Sequence, residues 1–140
     1  MTLSKRLQVF LLYARHDREI VRRLNQRLIR DGANTWLDVE SLIPGQDWES
    51  EIRKAIYRSD IVIVCLSRQF TKQGGYRHEE LKIALERANS LPEGEIFIIP
   101  ARLEKCDTPE SLRRWQRVDL FEADGNKKLL STLKSRCNVD

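Results

Sequence analysis

The chain has 140 residues, 41% hydrophobic and 33% charged. That suits a single globular domain whose core needs neither disulfide nor metal. No apolar run reaches the roughly 18 residues a membrane-crossing helix requires. Three widely spaced cysteines, Cys65, Cys106 and Cys137, fit reduced thiols of a cytoplasmic protein and match no metal-ligand spacing. The net charge of +4 comes from 25 basic and 21 acidic residues, with the excess in "RHDREIVRRLNQRLIR" and "SLRRWQR". Without an aromatic-interleaved stripe or a helix-turn-helix pattern, these read as solvated helix faces and argue against nucleic acid as a partner.

The opening "MTLSKRLQVFLLYARHD" has a basic start and a short apolar run, but no small-residue cleavage site, so a signal peptide is rejected. "LQVFLLY" (7–13) is predicted as a buried strand. Asp17 is placed to cap a helix whose apolar positions are Ile20, Val21, Leu24, Leu28 and Ile29, and Gly32 stops it. "NTWLD" (34–38) reads as a second strand and "VESLIPGQD" (39–47) as a loop turning at Pro44-Gly45. Asp47 then caps a helix carrying Trp48, Ile52, Ala55 and Ile56.

"DIVIVCLS" (60–67) is continuous, β-branched and too short for a helix, hence a strand buried on both faces. "RQFTKQGG" reads as a polar loop leading into a helix over "GGYRHEELKIALERA" (74–88). "EIFIIPARL" (95–103) is a further strand and "TPESLRRWQ" a helical turn with Pro109 near its start. "RVDLF" is the last strand and "NKKLLSTLKSR" the closing helix. Strand and helix alternate throughout. The expected architecture is therefore α/β, a five-stranded, mostly parallel, doubly wound sheet of flavodoxin-like order 2-1-3-4-5. It forms a single domain over 1–140 with its core at about 7–135, either self-standing or cut from a longer protein.

Ligands of such sheets bind outside the carboxyl ends of the strands, near the switch between strands 1 and 3. Those ends carry "YARHD" (13–17) and "CLSRQF" (65–70), with "DVESLIPGQD" (38–47) alongside. Neither G-x-G-x-x-G nor G-x-x-x-x-G-K-[ST] occurs, which argues against a dehydrogenase or a P-loop enzyme. A phosphoacceptor domain needs an aspartate where this chain has Cys65-Leu66-Ser67. Cys65, inside "IVIVCLS", reads as a small buried apolar residue and not a nucleophile. Two histidines without clustered cysteines argue against zinc. Tyr76 and Glu80 stand four residues apart, on one helix face. A ring beside a carboxylate at a cleft mouth suits stacking on a planar base and stabilising an oxocarbenium-like transition state. The spacing is equally that of an ordinary helix face, and by itself it does not decide between the two.

In this order and spacing, four segments resemble the Toll/interleukin-1 receptor (TIR) domain in its bacterial form. They are "VFLLYARHD", "TWLDVESLIPGQDWESEIRKAI", "SDIVIVCLS" and "GYRHEELKIAL". The resemblance covers about residues 7 to 135. It implies an NAD+ hydrolase that cleaves the bond between nicotinamide and ribose, giving nicotinamide plus ADP-ribose or a cyclic isomer. No metal or cofactor is implied, NAD+ being the substrate. Glu80 matches the catalytic glutamate and Tyr76 the flanking aromatic, where relatives often have Trp. Tyr13, Ala14, Asp17, Asp38, Trp48 and Ser67 fall at substrate-bordering positions. Ile43, Pro44 and Gly45 fall in the family's BB loop, through which TIR domains self-associate. Glu79, Arg15 and His16 are expected to be solvated. Tyr76-Arg77 departs from the Trp-Val that relatives often carry there. The resemblance also implies a cytoplasmic role in antiphage defence or virulence. The other reading it leaves open is a non-catalytic TIR–TIR interaction module in signalling.

Overall fold

The computed structural model describes residues 3–37, 42–72 and 78–137, His78 by its backbone alone. Five strands, β1 (Gln8–Leu12), β2 (Asn34–Trp36), β3 (Ile61–Leu66), β4 (Ile98–Arg102) and β5 (Val118–Asp119), form one sheet in the order β2-β1-β3-β4-β5. All the pairings are parallel. Among the described residues there are five helices, four between strands and the last after β5: α1 (Arg18–Arg30), α2 (Trp48–Arg58), α3 (Arg68–Thr71), α4 (His78–Ser90) and α5 (Gly125–Cys137). Short 3-10 turns lie at Arg15–Asp17 and Glu110–Leu112. The expected fold class and strand order are those observed.

The central strand shows why the sheet is covered on both sides. All six residues of β3 are buried. Ile61, Ile63 and Cys65 face one way, packing with Val21, Leu24 and Leu28 of α1 and Leu129 and Leu133 of α5. Val62, Val64 and Leu66 face the other way, packing with Ile52 and Ile56 of α2 and Leu81 and Ala84 of α4. The period-2 alternation of a strand thus feeds two separate cores. In the α2/α4 core, Phe10 and Trp36 stack with ring centres 5.2 Å apart.

Pro100 lies within β4, opposite Val64. Phe97 C=O accepts from Val62 N–H and Leu103 N–H donates to Leu66 C=O, so the odd-numbered residues of β4 bond to β3. Pro100 therefore turns its missing donor toward β5, whose pairing begins one residue later, at Ala101. No ladder bond is lost there.

Several boundaries differ from the sequence reading. Ile20 and Ile29 do not join the α1 core; they are 44% and 51% exposed. Val21, Leu24 and Leu28 make the inward stripe, and at about 100° per residue the two isoleucines fall on its flanks. Asp17 holds the N-cap position of α1, yet its side chain makes no cap bond. β2 ends at Trp36, and the expected strand at 117–121 pairs only through Val118 and Asp119. "RQFTKQGG" is not wholly loop, because Ser67 caps the short helix α3 and Phe70 is fully buried. The start of the helix expected at Gly74 lies outside the described residues, as do Asp38 and Tyr76. Asp47 does cap α2 as expected, accepting from Ser50 N–H at 3.3 Å.

Candidate functional site

The carboxyl edge of the sheet gathers the ends of β1 and β3. In a parallel crossover each helix runs back against its strands, so the first turn of α4, which follows β3, also lies at this edge. Glu80 sits in that first turn and is 1% exposed, while its neighbour Glu79 is exposed. Their contrast follows from helix geometry: one residue of offset turns a side chain by about 100°. Glu80 stands beside Leu81, Ile83 and Ala84, which are buried in the α2/α4 core. A carboxylate in the first turn is also favoured by the positive end of the helix dipole.

At the switch between β1 and β3, Ser67 Oγ donates to the Asp17 carboxylate, both residues being buried. The same Oγ accepts from Phe70 N–H at 3.1 Å, capping α3. Asp17 N–H in turn donates to Ala14 C=O at 2.8 Å. One hydroxyl thus ties the loop after β1 to the loop after β3. Burial raises the Asp17 carboxyl above its ordinary value, partly offset by the Ser67 bond and by His16, with Glu104 adding a further upward push. Glu104 also accepts from Arg68 N–H at 2.8 Å, joining the loop after β4 to the same rim. Periodicity gave no sign of the Asp17–Ser67 link. The capping preference of a serine directly before a polar stretch could have suggested α3.

The remaining predicted residues divide between the two faces. Ala14 and half-buried Trp48 pack in the α2/α4 core, on the side that holds Glu80. Tyr13 is 6% exposed and packs in the α1/α5 core, on the other side of the sheet. Ile43, Pro44 and Gly45 form an exposed turn closed by Gln46, whose N–H donates to Ile43 C=O at 3.2 Å. Gln46 Oε1 accepts from Ile43 N–H at 2.8 Å. Gly45 has φ +92°, the left-handed region that the third position of a Pro-Gly turn demands. Ile43 is 66% exposed at its tip. Arg15 and His16 are exposed as expected.

Cys65 is fully buried, and burial, followed by the Asp17 charge, pushes its thiol far upward. At neutral pH it is a protonated core residue, and a thiolate nucleophile is unavailable. Among the described residues no three His, Cys, Asp or Glu side chains converge as a metal site. A cavity of about 710 Å³ lies at the opposite rim, between Leu91, Phe97, Arg114, Trp115 and Lys128, and none of the predicted site residues lines it. Among the described residues the carboxyl edge offers a buried carboxylate on α4, Glu80. A second buried carboxylate at this edge, Asp17, is bonded to the Ser67 hydroxyl.

Comparison with known proteins gives a consistent result. A family model described as TIR domain matches residues 9–133. An uncharacterized protein, y4cD of Sinorhizobium fredii, is 29% identical over 133 residues, which are 93% of this chain. The chain spans about a fifth of that relative's length, 21%. Among solved structures, the TIR domain of the Toll-related receptor TRR-2 from Hydra magnipapillata is 24% identical with a TM-score of 0.72. That match covers 90% of this chain and 97% of the Hydra domain. A prokaryotic SEFIR domain is 20% identical with a TM-score of 0.65, covering 96% and 99%. The TIR domains of the activated Roq1 resistosome, which directly recognizes the pathogen effector XopQ, are 23% identical with a TM-score of 0.58, covering 96% and 85%. At these identities the structures share the fold.

Proposed function

Because this chain belongs to the TIR domain family, we propose that it is a bacterial, cytoplasmic NAD+ glycohydrolase or cyclase that works when copies of it associate. The observation that carries this reading is Glu80, a carboxylate held inward in the first turn of α4 at the carboxyl edge. In the proposed reaction the bond between the ribose anomeric carbon and the nicotinamide nitrogen breaks, and its electron pair leaves with nicotinamide. The leaving group goes from cationic to neutral, so it needs no proton. The positive charge passes to the ribose, and Glu80 steadies it and orients the ribose hydroxyls. Water then adds to the cation and loses a proton, giving ADP-ribose. Attack by a nucleophilic atom of the substrate's own adenosine half, with loss of a proton, gives the cyclic isomer instead.

Tyr76 is assigned to stacking on the substrate, and Tyr13, Ala14, Asp17, Asp38, Trp48 and Ser67 to bordering it. Asp17 and Ser67 do so as a bonded pair. The turn at Ile43, Pro44 and Gly45 is assigned to assembly, its exposed isoleucine meeting a neighbouring copy and completing that copy's site. NAD+ depletion in antiphage defence is the physiological use this chemistry fits. The same exposed Ile43 favours a second reading, a signalling module that assembles through this turn without turnover. Chromatography of products formed from NAD+ at high protein concentration separates the two. Nicotinamide with ADP-ribose or a cyclic isomer supports the enzyme. Assembled protein that releases no nicotinamide supports the module.

A further inference from the structure

The two helical layers differ in charge. On one side of the sheet, α1 carries Arg18, Arg22, Arg23, Arg27 and Arg30 against a single acidic residue, Glu19. On the same side α5 has basic residues and no carboxylate. On the opposite side, α2 and α4 mix acidic and basic residues evenly, with Arg53 paired to Glu86 across the two helices. The chain's excess positive charge therefore sits on the α1/α5 side. Arg23 and Arg27 are exposed and have no carboxylate within ion-pair distance among the described residues.

These arginines border an apolar depression. A groove of about 250 Å³ runs between α1 and the ends of β4 and β5, lined chiefly by Ile20, Arg23, Leu24, Arg27, Leu103 and Leu120. Ile20, Arg23, Leu24 and Arg27 follow the i, i+3, i+4, i+7 spacing of one helix face. Leu24 is buried and Leu103 and Leu120 are half-buried, while Ile20 stays 44% exposed at the groove's side. An apolar slot beside the exposed Arg23 and Arg27 asks for an occupant with both an apolar side chain and carboxylates.

We propose that this groove docks an acidic segment of a partner protein, an apolar side chain of the segment seated against Ile20 and its carboxylates on Arg23 and Arg27. Charge complementarity selects this occupant. A second copy of the chain would set arginines against arginines. Nucleic acid would use the charge and leave the apolar slot unfilled. The assignment is independent of NAD+ cleavage, since it involves none of the residues placed at the carboxyl-edge site.

The test is fluorescence anisotropy of the full chain with a labelled glutamate-rich peptide carrying two leucines. A leucine-free peptide of equal charge and a labelled DNA duplex serve as comparisons. The leucine peptide should bind about tenfold tighter than the leucine-free one, the scale of one buried apolar side chain. Ile20→Ser, and separately Arg23→Glu with Arg27→Glu, should each weaken it by about tenfold with circular dichroism unchanged. Arg58→Glu, an exposed charge reversal on α2, should leave it unaltered. Absence of binding overturns the proposal. So does equal affinity for the two peptides, tighter binding of the duplex, or equal losses in the groove and Arg58 variants.

Discussion

Ser67 and Asp17 form the buried junction between the loops after β1 and β3, and two substitutions there should behave in opposite ways. Ser67→Ala removes the Oγ that accepts from Phe70 N–H, a cap worth about 1 kcal/mol. It also removes the donor to a carboxylate that is only 6% exposed, worth about 1.5–3 kcal/mol. Together the loss should be about 2.5–4 kcal/mol. Asp17→Asn keeps an oxygen acceptor for Ser67 and removes the buried charge, so stability at pH 7 should stay level or rise. The pH dependence follows from the raised Asp17 carboxyl. A group whose folded value exceeds its unfolded one contributes fully below the unfolded value, about pH 4, and loses that contribution as pH rises through the folded value. Asp17→Asn should flatten this decline, while Ser67→Ala, which removes a downward influence on Asp17, should carry it to higher pH. Urea denaturation of the three proteins from pH 4 to pH 8 reads all of this through midpoint and slope. A Ser67→Ala loss under about 1 kcal/mol, or an Asp17→Asn loss equal to it, refutes the reasoning.

Asp119 receives Arg102 Nε at 2.7 Å and Nη2 at 2.8 Å, so Asp119→Asn should cost about 2–3 kcal/mol at pH 7 in denaturation. Because Arg102 holds the Asp119 carboxyl below its ordinary value, the wild-type advantage should persist above about pH 4 and fade as acid protonates the group. In Gly125→Ala the new methyl would meet Asp119 C=O and stand 2.8 Å from Leu120 Cα; backbone cannot yield there, and thermal unfolding should show a loss of about 1–3 kcal/mol. Ile43→Asp should leave monomer stability within about 0.5 kcal/mol, since Ile43 is exposed, yet light scattering should show loss of self-association.

The fold was legible because β3 reads as a continuous β-branched run, and a strand buried on both faces implies helices on both sides. What periodicity misjudged was the flank of α1. Ile20 and Ile29 are apolar by type, but only the sheet's position decides which of the neighbouring residues turns inward. β5 was overlong in the sequence because "RVDLF" has strand composition, whereas pairing ends at Asp119, where the backbone turns and Asp119 C=O accepts from Glu122 N–H at 3.2 Å. In the candidate site, the inward turn of Glu80 against the outward turn of Glu79 is a rotational matter that the adjacent "EE" does not show by itself. The bond between Asp17 and Ser67 joins residues 50 positions apart, beyond the reach of any local pattern. α3 was legible only through its cap.

The most direct measurement is nicotinamide release from NAD+ by wild-type and Glu80→Gln proteins, both held at concentrations that force association and both verified as folded. Wild type should turn over NAD+, and Glu80→Gln should lose about a hundredfold to a thousandfold of that rate, the scale of removing one preorganised charge-stabilising group. Equal turnover by the two proteins, or none by assembled wild type, would contradict the account.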